Sequence, residues 1–313
     1  MSTQPLPPAI FLMGPTASGK SALAIKLADS MGGEIISVDS ALVFRGMDIG
    51  TAKPTLVERS HIPHHLIDIL DPKESFSTGQ FRSKALSLME DISSRGKTPI
   101  LVGGTMLYFS TLFNGLALLP EANPLIRAKL DHDLETLGRE VLHSRLAEVD
   151  PVAAARIHPN DPQRVQRALE VYEISGQPLS SFFSSSQNNE LPYQNIKLII
   201  APTDRKLLHE VIAQRFHQML EQGLISEVEK LYQRGDLNEK MPAIRAVGYR
   251  QIWSYLQGEE SLGGMTEKAI IATRQLAKRQ FTWLRKISDA KNFQSEQNDL
   301  VNEVLTYIQH TTD

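Results

Sequence analysis

No cysteine occurs in the 313 residues, which removes disulfide scaffolds, thiolate metal sites and thiol nucleophiles together. An excess of charge of one sign is missing too. The chain has 33 Lys and Arg against 36 Asp and Glu, a formal net charge of −3, so a polyanionic partner has to be held by a local basic patch. Glycine and proline, 19 and 17 residues, keep to the ordinary share, which excludes collagen-like and low-complexity chains. There is no internal repeat and no long block of like charge. Residues 1–8 carry no Lys or Arg, and the apolar run 9–13 is far shorter than a signal-peptide core, so the expectation is a soluble, cytoplasmic protein. Residues 98–120 are uncharged and long enough to cross a bilayer. Gly103, Gly104, Asn114, Gly115 and Pro120 break that stretch into pieces, and residues 99–102 read as a short buried strand. The histidines, His64, His65 and His158 among them, lack the spacing of a metal site and read as surface or core residues.

What is present is enough apolar sequence, 41% against 22% charged, for one large domain or two ordinary ones. Short apolar strands at 9–13, 34–38 and 99–102 alternate with amphipathic helices at 19–31 and 81–95. Unbroken apolar strands between helices imply an α/β fold with a parallel sheet covered on both faces, binding ligands at the carboxyl ends of its strands. Residues 121–187 then read as helices only, ending in the Ser-rich run 180–186, before another buried strand at 196–200 and a helical remainder. The expected organisation is a core of residues 1–120 and 188–313 carrying an all-helical insertion, 121–187.

The segment Gly14, Pro15, Thr16, Ala17, Ser18, Gly19, Lys20, Ser21 fits G-x-x-x-x-G-K-[ST], directly after a strand and opening a helix. Backbone N–H groups and the helix dipole of such a P-loop cradle phosphate oxygens, Lys20 adds a point charge, and the Ser21 hydroxyl can ligate Mg²⁺. The fold is therefore expected to be a P-loop NTPase-like core with flanking helices. The loop reads a diphosphate or triphosphate and not the group attached to it.

A kinase or ATPase of this class normally places an Asp at the end of a second apolar strand. Here that strand, 99–102, ends in Gly103 and Gly104, followed by Thr105. The early strand that does end in a carboxylate is 34–38, followed by Asp39. Three roles compete for Asp39: a magnesium ligand through water, a general base, or a helix N-cap without chemistry.

Asp161 and Pro162 start a helix that stops at Gly176 and carries Arg164 and Arg167 on one face of its first turns. At about 100° per residue, a helix over 266–287 aligns Arg274, Lys278 and Arg285, with Arg279 and Lys286 on the same half and Ala272, Leu276, Trp283, Leu284 and Ile287 opposite. Residues 241–291 hold nine Lys and Arg against four Asp and Glu. Such a stripe is either a solvated face or, with Arg164, Arg167, Arg245 and Arg250, a footprint for a phosphate backbone.

Taken together, Gly14–Ser21, Asp39-Ser40, the stretch 46–54 (GMDIGTAKP), 102–108 (VGGTMLY), 160–170 (NDPQRVQRALE) and Gly248-Tyr249-Arg250 resemble the bacterial tRNA dimethylallyltransferases, or tRNA isopentenyltransferases. The likeness runs through residues 9–285. It implies transfer of dimethylallyl from its diphosphate to N6 of the adenosine at tRNA position 37, beside the anticodon, with Mg²⁺ as cofactor and a monomeric enzyme. By matching positions, Asp39 would be the general base, and Thr105 and Lys20 would complete the catalytic set. Residues Gly14 to Ser21 and Arg215 would bind diphosphate. Asp39, Ser40, Ala41, Leu42, Thr105, Arg127, Gln163, Arg164, Val165, Gln166 and Arg167 match tRNA-contacting stretches. So do Arg245, Ala246, Val247, Gly248, Tyr249 and Arg250, and Lys278, Arg279, Gln280, Phe281, Thr282, Trp283, Leu284 and Arg285. The pattern departs at Leu42 and Phe44, where many members carry Gln and Tyr, so base recognition cannot rest on those two side chains, although Phe44 can still stack or pack. Two other readings of the residues compete: an ATP-dependent small-molecule kinase, which the missing Asp and the basic helix oppose, and a non-catalytic nucleotide-dependent RNA-binding module.

Overall fold

The structure, a computed structural model, describes residues 6–117, 119–184 and 191–312. Residue 118 of the uncharged stretch and residues 185 and 186 of the Ser-rich run lie outside them. Two compact units divide the chain, Met1–Leu112 with Leu191–Asp313, and Phe113–Glu190.

The first unit begins β1 (Pro8–Met13), α1 (Lys20–Met31), β2 (Glu34–Val38), α2 (Leu56–His61), β3 (His64–His65), α3 (Thr78–Ser94), β4 (Pro99–Gly103) and α4 (Met106–Asn114). The second holds α5 (Pro124–Leu137), α6 (Arg139–Val149), α7 (Pro151–Ala154), α8 (Pro162–Ser175) and α9 (Leu179–Ser184). The first unit then resumes with β5 (Gln194–Ala201), α10 (Arg205–Glu221), α11 (Leu224–Gln233), α12 (Tyr249–Leu256), α13 (Leu262–Leu284), β6 (Lys291–Gln294) and α14 (Leu300–Thr312).

All strand pairs are parallel, in the order β3-β2-β4-β1-β5-β6. Every residue of β2 and β4 is buried, as a strand covered on both faces requires. Ile10, Leu12, Ile100, Val102, Leu198 and Ile200 pack against Leu23 and Leu27 of α1 and Val304 and Ile308 of α14. At about 1.5–3 kcal/mol for each fully buried aliphatic side chain, this layer holds the strand ends in fixed positions. β2 and β4 approach so closely at their carboxyl ends that a Cβ on Gly103 would lie 2.0 Å from the Val38 carbonyl oxygen. A second cluster, including Val43, Phe44, Phe216, Leu224, Tyr249 and Trp253, underlies α10 to α13.

Local signals account for most boundaries. Ser77 and Gln80 form a reciprocal capping box at the start of α3. Asp161 caps α8, Pro162 occupies its first turn, and Gly176 ends it at φ 68°. β3 and β6 have no such signal: β3 is two half-buried histidines, and only Phe293 of β6 is buried. No helix among the described residues is long and apolar enough to cross a membrane.

The helical unit has its own core of Leu130, Leu142, Leu146, Val165, Leu169 and Val171. Glu170, fully buried, accepts from Arg127 Nε at 2.9 Å, Arg167 NH1 at 2.7 Å and the Asn123 N–H at 2.9 Å. These cations balance its charge and hold its carboxyl below the ordinary range against the cost of burial.

Candidate active site

Sheet register brings three loops to one edge. Met13 pairs with Gly103, and Gly103 with Val38, so the residues that follow, Gly14, Gly104 and Asp39, leave the sheet side by side. This is the crevice at the carboxyl ends of the strands where the chain switches from one side of β1 to the other.

The phosphate loop bends through two left-handed residues, Ala17 at φ 62° and Gly19 at φ 77°. Glycine takes that conformation freely, whereas at Ala17 it stores strain of the kind concentrated at functional sites. Lys20 folds back over the loop, its Nζ donating to the Pro15 carbonyl at 2.5 Å and to Ser18 Oγ at 3.3 Å. Burial and the neighbouring Arg215 push the Lys20 amine down to about 7, partly opposed by Asp39. Arg215, half-buried on α10, is likewise lowered by burial and sustained by Asp39. Two basic side chains crowded into one cradle, one of them ready to regain its proton, make a site that favours an anion. Beside it Ala17, Ile212, Phe216 and Met219 give an apolar wall.

Asp39 forms a tight turn: its Oδ1 accepts from the N–H of Ala41 at 2.8 Å and of Leu42 at 3.3 Å. The turn is tied to the end of β4, where Thr105 Oγ1 accepts from the Ser40 N–H at 3.1 Å and the Thr105 N–H donates to Val38 O at 3.2 Å. Asp39, Lys20 and Arg215 are all within electrostatic reach of one another. Among the described residues no cluster of three or more His, Asp or Glu could cage a metal. Ser21 lies exposed in the first turn of α1, and a single hydroxyl is the donor set expected when substrate phosphates and water supply the remaining oxygens around Mg²⁺.

The stretch 46–54 has a structural explanation that its sequence did not disclose. Glu227, in the first turn of α11, accepts from the N–H groups of Asp48 at 2.9 Å, Ile49 at 2.8 Å and Gly50 at 3.2 Å. Lys53, buried, donates to the Phe44 carbonyl and pairs with Asp48 at 2.6 Å and Asp68 at 2.5 Å. The loop that follows Asp39 is therefore clamped at both ends. An acidic residue opening a helix is ordinary, so nothing local marks Glu227.

The residues expected to contact RNA separate by exposure. Lys278, Arg279, Arg285, Arg245, Arg250, Gln163, Arg164 and Thr282 are exposed, Arg164 being paired with Asp161 at 3.2 Å. Arg127 and Arg167 are committed to Glu170, and Gln166 bonds Asp131 at 2.6 Å. Val165, Tyr249, Gln280 and Leu284 are buried, so these four side chains do not offer the surface that the expected RNA contact requires. Gly248 is buried as well, Ala246, Val247 and Phe281 are half-buried, and Ser40 is exposed beside half-buried Ala41 and Leu42. Trp283, placed by helical phase on the apolar half, is instead at the surface with Lys286 Nζ 5.8 Å from its ring centre. Phe44, 2% exposed, packs in the core and is not available to stack on a base. Gln280 takes the inward position in the stripe of Ala269, Ala277 and Leu284, a polar residue in an apolar register.

A parallel α/β sheet with a P-loop after its first strand, and an aspartate and an arginine beside that loop, defines a protein with a P-loop core. The family model described as IPP transferase matches residues 42–287. The chain belongs to this family. A relative named tRNA dimethylallyltransferase from Methylococcus capsulatus is 59% identical over 290 residues, covering 93% of each chain. One of the same name from Nitrosococcus oceani is 56% identical over 97% of this chain and 96% of its own. Among solved structures, a eukaryotic dimethylallyltransferase acting on tRNA matches with TM-score 0.84 at 29% identity, over 97% of this chain and 79% of that one. The tRNA isopentenylpyrophosphate transferase of Bacillus halodurans matches with TM-score 0.72 at 36% identity, over 97% and 96%. Nothing in these relatives supports the kinase reading.

Proposed function

We infer that this protein transfers a dimethylallyl group from dimethylallyl diphosphate to N6 of an adenosine in tRNA, at position 37 in the anticodon loop, acting as a cytoplasmic monomer. The observation that carries the reading is Asp39, held at the end of β2 within electrostatic reach of both Lys20 and Arg215. A cradle for a departing anion and an acceptor for a proton stand together.

The chemistry follows from this placement. The adenine amine forms a bond to the allylic carbon as the carbon–oxygen bond to diphosphate breaks. Lys20, Arg215 and the N–H groups of the loop stabilise the charge that gathers on the leaving group. Asp39 takes the N6 proton, and its Oδ1 bonds to Ala41 and Leu42 keep the carboxylate aimed. Mg²⁺ would be held by the Ser21 hydroxyl and supplies further neutralisation of diphosphate. Thr105 fixes the Asp39 turn through Ser40, and the wall of Ile212, Phe216 and Met219 suits a five-carbon chain. The adenosine has to leave its stack for N6 to reach an enclosed carbon. The exposed cations of α13, with Arg245 and Arg250, offer contacts to the RNA backbone, and the helical unit by itself offers Arg164.

The test is direct. Purified protein given unmodified tRNA, dimethylallyl diphosphate and Mg²⁺ adds the mass of one C5H8 unit to a single adenosine. No mass gain, with ATP-dependent phosphorylation of a metabolite instead, overturns the assignment.

A further inference from the structure

Gln280 is buried on α13, and its amide is bonded at both ends. Oε1 accepts from the Thr16 N–H of the phosphate loop at 2.9 Å, and Nε2 donates to the Gly104 carbonyl at 2.9 Å. The fit is close: a Cβ at position 104 would lie 2.3 Å from Nε2. The chain continues from Gly104 to Thr105, which holds the Ser40 N–H beside Asp39. On the same helix Lys278 and Arg279 point outward and are exposed. One side chain thus touches the loop for the leaving group and the strand end that fixes the base, from the helix that presents cations to solvent. An amide suits the position, since it donates and accepts at once and adds no charge beside Lys20 and Arg215.

We propose that Gln280 is a positioning residue through which RNA bound to α13 tightens the phosphate loop, making the two substrates bind cooperatively. The proposal rests on the reading above, that the loop holds diphosphate and α13 holds RNA. Rotation or sliding of α13 strains both of these bonds at once, and RNA that restrains its exposed face restrains Gln280 as well. Coupling between sites is reciprocal, so each ligand strengthens the other by the same factor.

The experiment uses the full chain, with inorganic diphosphate and Mg²⁺ titrated by calorimetry in the absence and presence of unmodified tRNA. The expected result is a diphosphate affinity about 5-fold or more higher with tRNA bound, and an equal gain for tRNA when diphosphate is bound. Gln280→Met, similar in shape but without the donor and the strong acceptor, loses that factor while its tRNA affinity in the absence of diphosphate is retained. Its KM for the prenyl donor rises more than its kcat falls, a split that general loosening of the fold does not produce. Equal diphosphate affinity with and without tRNA in the unsubstituted protein overturns the proposal before any variant is made, as does full coupling in Gln280→Met. Transfer measured in parallel separates the two levels. Transfer without coupling overturns this inference alone, whereas binding of both ligands without transfer overturns the proposed function.

Discussion

The hydroxyl of Tyr249 donates to Glu227 Oε1 at 2.5 Å, completing a set of donors in which three consecutive backbone N–H groups occupy the same carboxylate. Burial and the nearby negative charge push the Tyr249 phenol well above its ordinary range, so it stays a donor. Glu227 therefore joins the 46–54 loop, α11 and α12 at one point.

The two partners are unequal. Tyr249→Phe removes one of four donors and is expected to cost about 1–3 kcal/mol. Glu227→Ala leaves three N–H groups and a buried phenol without their acceptor, at about 1–3 kcal/mol for each donor that stays buried, and is expected to cost clearly more than Tyr249→Phe. Urea unfolding measures both; equal costs would show that the loop does not depend on the carboxylate.

Lys20 provides a proton-linked signature. With its amine near 7 in the free cradle, it is largely neutral at pH 8, and a bound diphosphate restores its charge. Diphosphate binding at pH 8 is expected to take up about one proton at this site, read as a dependence of the binding enthalpy on the buffer. Lys20→Arg, charged throughout, should lack that uptake. The sign also sets stability: the unfolded lysine binds more protons between about pH 7 and 10.4, so this group favours the fold as pH rises through that window.

Asp39→Asn keeps an oxygen for the Ala41 and Leu42 N–H groups, so the turn persists. Transfer should fall by about 10²–10⁴-fold with tRNA affinity nearly unchanged. A variant that transfers at the normal rate would remove Asp39 from the base role.

Lys278 is exposed on α13. Lys278→Ala is expected to weaken binding to all tRNAs alike and to lower the slope of log affinity against log salt by about one. An unchanged slope would mean that this face is only solvated.

The Glu34 side chain is 3% exposed and paired with both terminal Arg95 nitrogens, Lys97 at 2.9 Å and His65 at 2.8 Å. Its carboxyl is held far below the ordinary range, chiefly by Arg95. The stability it gives is complete above the unfolded value of about 4.3 and is lost as pH falls below it. Glu34→Gln should destabilise by about 1–3 kcal/mol at pH 7, because the cations it faces are partly solvated. Unfolding measured from pH 6 to pH 3 should show the difference shrinking as the pH drops.

The phosphate loop was legible because its parts are contiguous, and Asp39 because a carboxylate ended an apolar strand. Helix α8 could be bounded by Asp161, Pro162 and Gly176, each acting within a turn. Glu227 and Gln280 were not assignable to their roles. Glu227 binds residues up to 179 positions away, and Gln280 reaches a loop 264 positions away. Helical phase misjudged Trp283 because packing of α13, and not its apolar count, decides which side faces inward. β6 escaped notice since an edge strand with one buried residue has no periodicity to detect.

The narrow gap between β2 and β4 closes an evolutionary route. Phosphate-hydrolysing P-loop enzymes place an aspartate where this chain has Gly103, and here the Val38 carbonyl leaves no room for any side chain. A single codon change does not lead from this scaffold to nucleotide hydrolysis; two neighbouring strands would have to part first.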